Sequence, residues 1–335
     1  MNPSSQVFQH QIEVVHSLKK YFNYVDVVSS DSRPEWVSAN DRISIHSLNW
    51  QIGRPIRNIL NLYQVSIKLL LSNKPDTVLF HMTDVQSALL APIFRICGIT
   101  TTLWYAHAKR SIWLLLAYPW TTSLVTSTPE SLRIRSKKVH CIGQAINMQL
   151  FKFSQKQLDT NDLNLVHVGR IDPAKKINEM MEWANSSKFR SRFRKFVFFG
   201  APSSTSLNYM DTLLNAYRMK VDEGFFEFPG KINRVDLPSV LSQFSIFIHL
   251  FQGSLDKSLL EATSLGIPVI TLNKAFISEF GRWGSHDELS LDSEMEALLS
   301  LSQEDRKDEI RRRYELIESR HSIHNWSDKI FTYLC

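Results

Sequence analysis

Cysteine is scarce. Cys97, Cys141 and Cys335 show no paired spacing and no CxxC, which argues against a disulfide framework or a zinc ribbon and fits a reducing compartment. No long apolar run exists either. The longest, SIWLLLAYPWTTSLV from Ser111, is broken by Pro119 and too short to span a bilayer. The opening MNPSSQVFQHQIEVV has no basic start followed by an apolar core, so no signal peptide is read there and a cytoplasmic location is expected. Internal repeats, low-complexity tracts, zinc fingers, helix-turn-helix signatures and aromatic-interleaved RNA motifs are missing too, which removes nucleic acid from the favoured partners. No GxSxG and no readable Cys/His pairing offers a protein nucleophile.

What is present is the balance of an ordinary globular protein, 43% hydrophobic and 21% charged, in a 335-residue chain that suits two medium domains. The net charge of +6 and the pI of about 9.1 attract anions in general. The longest basic run, Arg311-Arg312-Arg313, sits in EDRKDEIRRRYELIESR and reads as a solvated helical face.

Short β-rich runs alternate with helical patterns along the whole chain, the signal for parallel α/β sheets. In the first half the strands are YVDVVSS from Tyr24, RISIHSL from Arg42, TVLFHM from Thr77, TTLWYAH from Thr101, SLVTS from Ser123 and KVHCIG from Lys138. Helical stretches cover 54–72 and 84–97, the latter closed by Gly98. The polar, unpatterned 148–162 segment is the expected boundary between domains 1–150 and 151–335. Beyond it come strands at LVHVG, KFVFFG, FFEFPG, FSIFIHL and IPVITL, with helices from Lys176, over 207–220, from Leu237 and over 257–265. Two doubly wound domains of this kind bind ligands at the carboxyl ends of their strands, where they face each other across a cleft.

Two segments carry candidate chemistry. In VGRIDPAKK, Gly169 ends a strand, while Arg170 and Lys175 lie in the loop that opens the next helix. Two cations and free amides at such a junction suit a diphosphate, although the spacing fits a solvated surface loop equally well. In GSLDKSLLEATSLGIPVI, Gly253 and Ser254 let backbone amides approach a phosphate, and Asp256 can cap the following helix. Glu261 one turn in could accept both hydroxyls of a ribose, or simply be a helix-surface glutamate.

Taken together, Gly169-Arg170, Pro173-Ala174-Lys175, Leu259-Leu260-Glu261-Ala262 and Gly266-Ile267-Pro268-Val269-Ile270 resemble the donor-site signature of glycosyltransferase family 4, a retaining GT-B family. FEFPGKINRVDLPSVLSQFSIFIHL and the closing Arg320-His321-Ser322-Ile323 are similar to further segments of it. The resemblance implies that Arg170 and Lys175 hold the donor diphosphate and replace a metal; no DxD motif is present, and neither metal nor cofactor is expected. It also implies that Glu261 binds the donor ribose and that Lys231 lies where the backbone passes the base. Eight positions before Glu261, where the family usually has a glutamate, stands Gly253; this chain resembles the subset with GSxDKxxLEA in place of EGFGxxxLEA. Ser254, Asp256 and Lys257 then form the sugar- and phosphate-facing loop.

In the first half, LWYAHAKRS resembles that subset's WYTHKS and places His107 as an active-site histidine facing the donor sugar. STPESLRIRSKKVHCIGQAINMQLF is similar to the segment that closes the family's first domain. Family members open with a strand such as MKILFIT, whereas this chain begins at the following helix, so the resemblance implies a first domain without its usual first strand. It further implies that the last helix crosses back to the first domain.

The activity implied is transfer of a hexose-type sugar from a UDP- or GDP-linked donor to a glycan or lipid-linked acceptor with retention, in cell-surface polysaccharide or glycoconjugate synthesis. Two alternatives stand beside it: another GT-B enzyme, such as an epimerase or an inverting transferase, and a non-catalytic nucleotide-sugar-binding protein of the same fold. Lys109-Arg110 followed by Ile112-Trp113-Leu114-Leu115-Leu116 fits either a helix buried on the first sheet or a peripheral contact with an anionic membrane face.

Overall fold

A computed structural model describes residues 6–30, 37, 42–154 and 157–335. The chain divides into two compact units, Met1–Ala145 with His321–Cys335, and Ile146–Arg320.

In the first unit, helix α1 (Gln6–Leu18) is followed by β1 (Val25–Ser29), β2 (Ile43–Ser47), α2 (Pro55–Ser72), β3 (Thr77–His81), α3 (Asp84–Ile96), β4 (Thr100–Trp104), α4 (Ile112–Ala117), β5 (Ser123–Thr126) and β6 (Val139–Cys141). All pairings are parallel, but the strands form two sheets among the described residues, β1-β2 and β3-β4-β5-β6. Alternation along the strands separates two cores. Phe80, Leu103 and Leu124 pack with Leu62 of α2, Leu90 and Phe94 of α3, and Leu114 of α4. Trp104 and Val125 face the other way, toward Val14 and Leu18 of α1 and Trp326 and Ile330 from the chain's end. One face of the sheet therefore carries α2, α3 and α4 as a single layer. Gly98, at φ +76°, closes α3 in a backbone conformation that a β-carbon would strain.

The second unit runs β7 (Leu163–Val168), α5 (Ile177–Ser186), β8 (Phe193–Phe199), α6 (Leu207–Ala216), α7 (Arg218–Asp222), β9 (Phe226–Gly230), α8 (Leu237–Leu241), β10 (Ile246–His249), α9 (Lys257–Ser264), β11 (Val269–Thr271), α10 (Lys274–Phe280), α11 (Leu291–Ser300) and α12 (Gln303–His321). Its five parallel strands are ordered β11-β10-β7-β8-β9. Ile246 and Ile248 enter one core and Phe247 the other, so helices cover both faces and β10 and β11 are buried along their whole length. The last helix, α13 (Ile323–Leu334), belongs to the first unit, where it packs on β3, β4 and α1.

The basic run in α12 is exposed at Arg311 and Arg312, as its pattern predicts, but not at Arg313. Arg313 points inward and is 2% exposed, its guanidinium 3.9 Å from the centre of the Trp283 ring and its Nε donating to Glu309 at 2.8 Å. Those partners satisfy a buried guanidinium, which charge patterning along one helix does not disclose.

Candidate functional site

Strand order locates the site in the second unit. The chain runs from β7 through β8 to β9 on one side, then places β10 and β11 on the other side of β7. Loops leaving the carboxyl ends of β7 and β10 lie on either side of this reversal, the position at which open α/β sheets bind ligands. Gly169, Arg170 and Lys175 follow β7. Gly253, Ser254, Asp256 and Lys257 follow β10, and Glu261 lies in α9.

Glycine lines the strand ends at this edge of the sheet. The Gly169 N–H donates to Phe199 O at 3.0 Å and the Gly200 N–H to Gly230 O at 2.9 Å, stitching the ends of β7, β8 and β9. A β-carbon on Gly200 would lie 1.8 Å from Gly169 O, and one on Gly169 would lie 2.9 Å from His167 Nε2. Beyond Gly169, Asp172 pins the turn. Its carboxylate accepts the Ala174 N–H at 3.0 Å and the Ser206 hydroxyl at 2.9 Å, and the Ala174 bond above all holds that carboxyl below its usual range. Arg170 projects from this turn, exposed.

Lys175 is differently placed. It is 13% exposed, donates to Asp256 Oδ2, and lies 4.0 Å from the centre of the Phe251 ring. His249, fully buried, donates from Nε2 to the same carboxylate oxygen at 3.2 Å. Burial alone would raise the Asp256 carboxyl, but the Lys175 charge and the His249 bond hold it well below the usual range. Asp256 also caps α9 through the Ser258 N–H. Beside His249, His167 points Nδ1 at Ile248 O, 2.9 Å away, and burial pushes its pKa down to about 3. Burial also lowers the His249 pKa, with the bond to Asp256 acting in the opposite direction. Among the described residues, His167 Nε2 and His249 Nδ1 have no hydrogen-bond partner.

The structure supplies a local reason for Gly253. A β-carbon there would come within 2.1 Å of Phe251 Cζ, so any side chain would displace the ring that lies against Lys175. Asn273 staples the loop: its Nδ2 donates to Phe251 O at 2.6 Å and to Ser254 O at 2.9 Å, while Thr271 donates to His249 O at 2.6 Å.

Glu261 is buried and accepts from Arg234, itself buried, whose guanidinium lies 5.1 Å from the centre of the Phe151 ring. A ribose at Glu261 would share this carboxylate with Arg234. Burial pushes the Lys257 ammonium down to about 7, with the charge of Glu261 acting in the opposite direction. Lys231 is exposed just past β9. His107 belongs to the first unit, where it follows β4; it is exposed, its ring 6.3 Å from that of Tyr105, whose hydroxyl donates to Lys109 O at 2.8 Å. Sequence reasoning missed Arg234, His249, Phe251 and Asn273. Only Asn273, a capping residue after an apolar strand, had a local signal.

No family model and no curated protein matches the chain. Solved structures do. The Anabaena protein HepE, crystallised with UDP and glucose, superposes with a TM-score of 0.75 over 99% of this chain and 96% of its own at 12% identity. A glycosyltransferase from Rickettsia africae gives 0.73 over 99% and 95% at 14% identity. The sucrose-phosphate synthase of Thermosynechococcus elongatus gives 0.72 over 97% and 91% at 10% identity. The fold is GT-B. At these identities the likeness establishes the GT-B architecture and leaves chemistry to the residues.

Proposed function

We propose that this GT-B protein is a glycosyltransferase of the family 4 type, taking a hexose-type sugar from a nucleotide donor with retention. One observation carries the reading. Lys175, held by Asp256 and the Phe251 ring, and the exposed Arg170 stand on a glycine-lined rim where the strand order reverses between β7 and β10. HepE, which has the same architecture, was crystallised with UDP-glucose, and this supports a nucleotide-sugar donor.

The donor diphosphate would lie over the amides after Gly169, with Arg170 and Lys175 taking up the charge that develops on the leaving phosphate. The bond from the anomeric carbon to the phosphate oxygen breaks. A bond from that carbon to the acceptor oxygen forms on the same face, and the acceptor proton passes to the departing phosphate. The protein's part is positioning and charge stabilisation, so no protein nucleophile is required. His107 would face the donor sugar, and a glycan or lipid-linked acceptor would complete the reaction.

The pairing of Lys175 with Asp256 favours one second reading, a protein that binds the nucleotide sugar without transferring it. Release of nucleoside diphosphate from UDP- and GDP-sugars separates the two. Transfer requires release that quickens with acceptor glycans, whereas donor binding without any release would support the second reading.

A further inference from the structure

Helix α2 is built the wrong way round for a helix covered only by water. It buries Asn58, Leu62 and Ser66 and leaves five of its aliphatic residues exposed. Ile56 is 75% exposed, Leu60 63% and Leu71 81%, with Ile59 and Ile67 beside them. At about 100° per residue, Ile56, Leu60, Ile67 and Leu71 fall within an arc of roughly 60°, opposite the buried side, in a stripe about 22 Å long. A contiguous apolar surface of this kind marks an interaction site.

The same layer continues the pattern. Helix α4 buries Leu114 and Ala117 and exposes Ile112, Trp113, Leu115 and Leu116, with Trp120 just beyond it and Ile96 exposed at the end of α3. Charge is arranged to match. Helices α2 and α4 contain no carboxylate, and the one in α3, Asp84, accepts a hydrogen bond from Ser111. Arg54, Arg57, Lys68, Lys74, Arg95, Lys109 and Arg110 are exposed around the aliphatic residues. The first unit holds 16 lysines and arginines against 9 carboxylates, while the second holds 23 against 24, so the protein's basic excess lies entirely in the unit with the apolar layer. No helix among the described residues is long and apolar enough to cross a membrane.

We propose that the outer face of α2, with α3 and α4 beside it, docks on an anionic lipid surface. Aliphatic side chains enter the headgroup boundary while the flanking cations meet lipid phosphates. The charge decides for lipid over a second copy of the chain, since two such faces would bring like charges together. This docking is independent of the donor-site reading.

Sedimentation with vesicles tests it. Phosphatidylcholine vesicles are compared with vesicles of equal parts phosphatidylcholine and phosphatidylglycerol, at low and high salt. The wild type should bind the anionic vesicles about tenfold or more tightly and be released by salt. Leu60→Ser with Leu71→Ser, and separately Arg57→Glu with Lys68→Glu, should each lower that binding about tenfold. The triple change of Lys109, Arg110 and Trp113 to alanine should weaken it further. Thermal melting and UDP affinity of each variant, unchanged, would show that fold and donor site are intact; variants that melt early are replaced by Leu60→Gln and Leu71→Gln. Equal binding to both vesicles, no binding to either, or vesicle binding untouched by these changes would overturn the proposal. So would a wild-type dimer that Leu60→Ser with Leu71→Ser converts to a monomer.

Discussion

At the residue scale, the candidate site depends on how each cation is held. Lys175 is pinned between a carboxylate and a ring, so it is ordered before any ligand arrives, whereas Arg170 is exposed and free to close on one. Lys175→Ala or Arg170→Ala should each lower turnover about hundredfold, the scale for losing a charge stabiliser at a leaving group. Steady-state kinetics checks this, and unchanged rates in both variants would remove the two residues from the reaction. Lys257 offers a pH signature. Its ammonium is charged below about 7 and neutral above, so an anion bound beside it loses a partner as pH rises. Affinity for UDP should fall between pH 7 and 9 by up to about tenfold per unit, and Lys257→Met should flatten the profile. A flat wild-type profile would place Lys257 away from the phosphate.

At the scale of elements, the strands and helices were legible because apolar residues recur with periods near two and 3.6, and Gly98 punctuates a helix end where only positive φ fits. The GR…PxK loop and the LLEA helix were legible as local motifs. What stayed hidden was each partner supplied from elsewhere in the chain. Arg234 meets Glu261 from 27 positions away and Asp256 meets Lys175 from 81. Nor did the sequence show that Gly253 leaves room for Phe251, since that is a collision in space. The Arg234–Glu261 pair alters what a substitution does. Glu261→Gln removes the countercharge of a buried guanidinium and should destabilise the protein by about 3 kcal/mol in chemical denaturation. If the carboxylate also holds a ribose, the same variant should weaken UDP more than pyrophosphate; equal loss for both would leave Glu261 a structural residue.

At the scale of the molecule, the halves divide the physics. The second unit is close to neutral and places its candidate cations at one strand reversal, while the first carries the basic excess and the exposed aliphatic layer. If Arg170 and Lys175 take a metal's place, as proposed, the reaction is independent of divalent ions. Turnover should survive EDTA unchanged, and a strict need for magnesium or manganese would contradict that assignment. The most direct test of the donor site is calorimetric titration of UDP and of GDP into the wild type and Lys175→Ala, in buffer freed of divalent metal. The wild type should bind one of the two nucleotides, and Lys175→Ala should bind it about tenfold or more weakly. Failure of the wild type to bind either nucleotide, or equal affinity in the variant, would contradict the account.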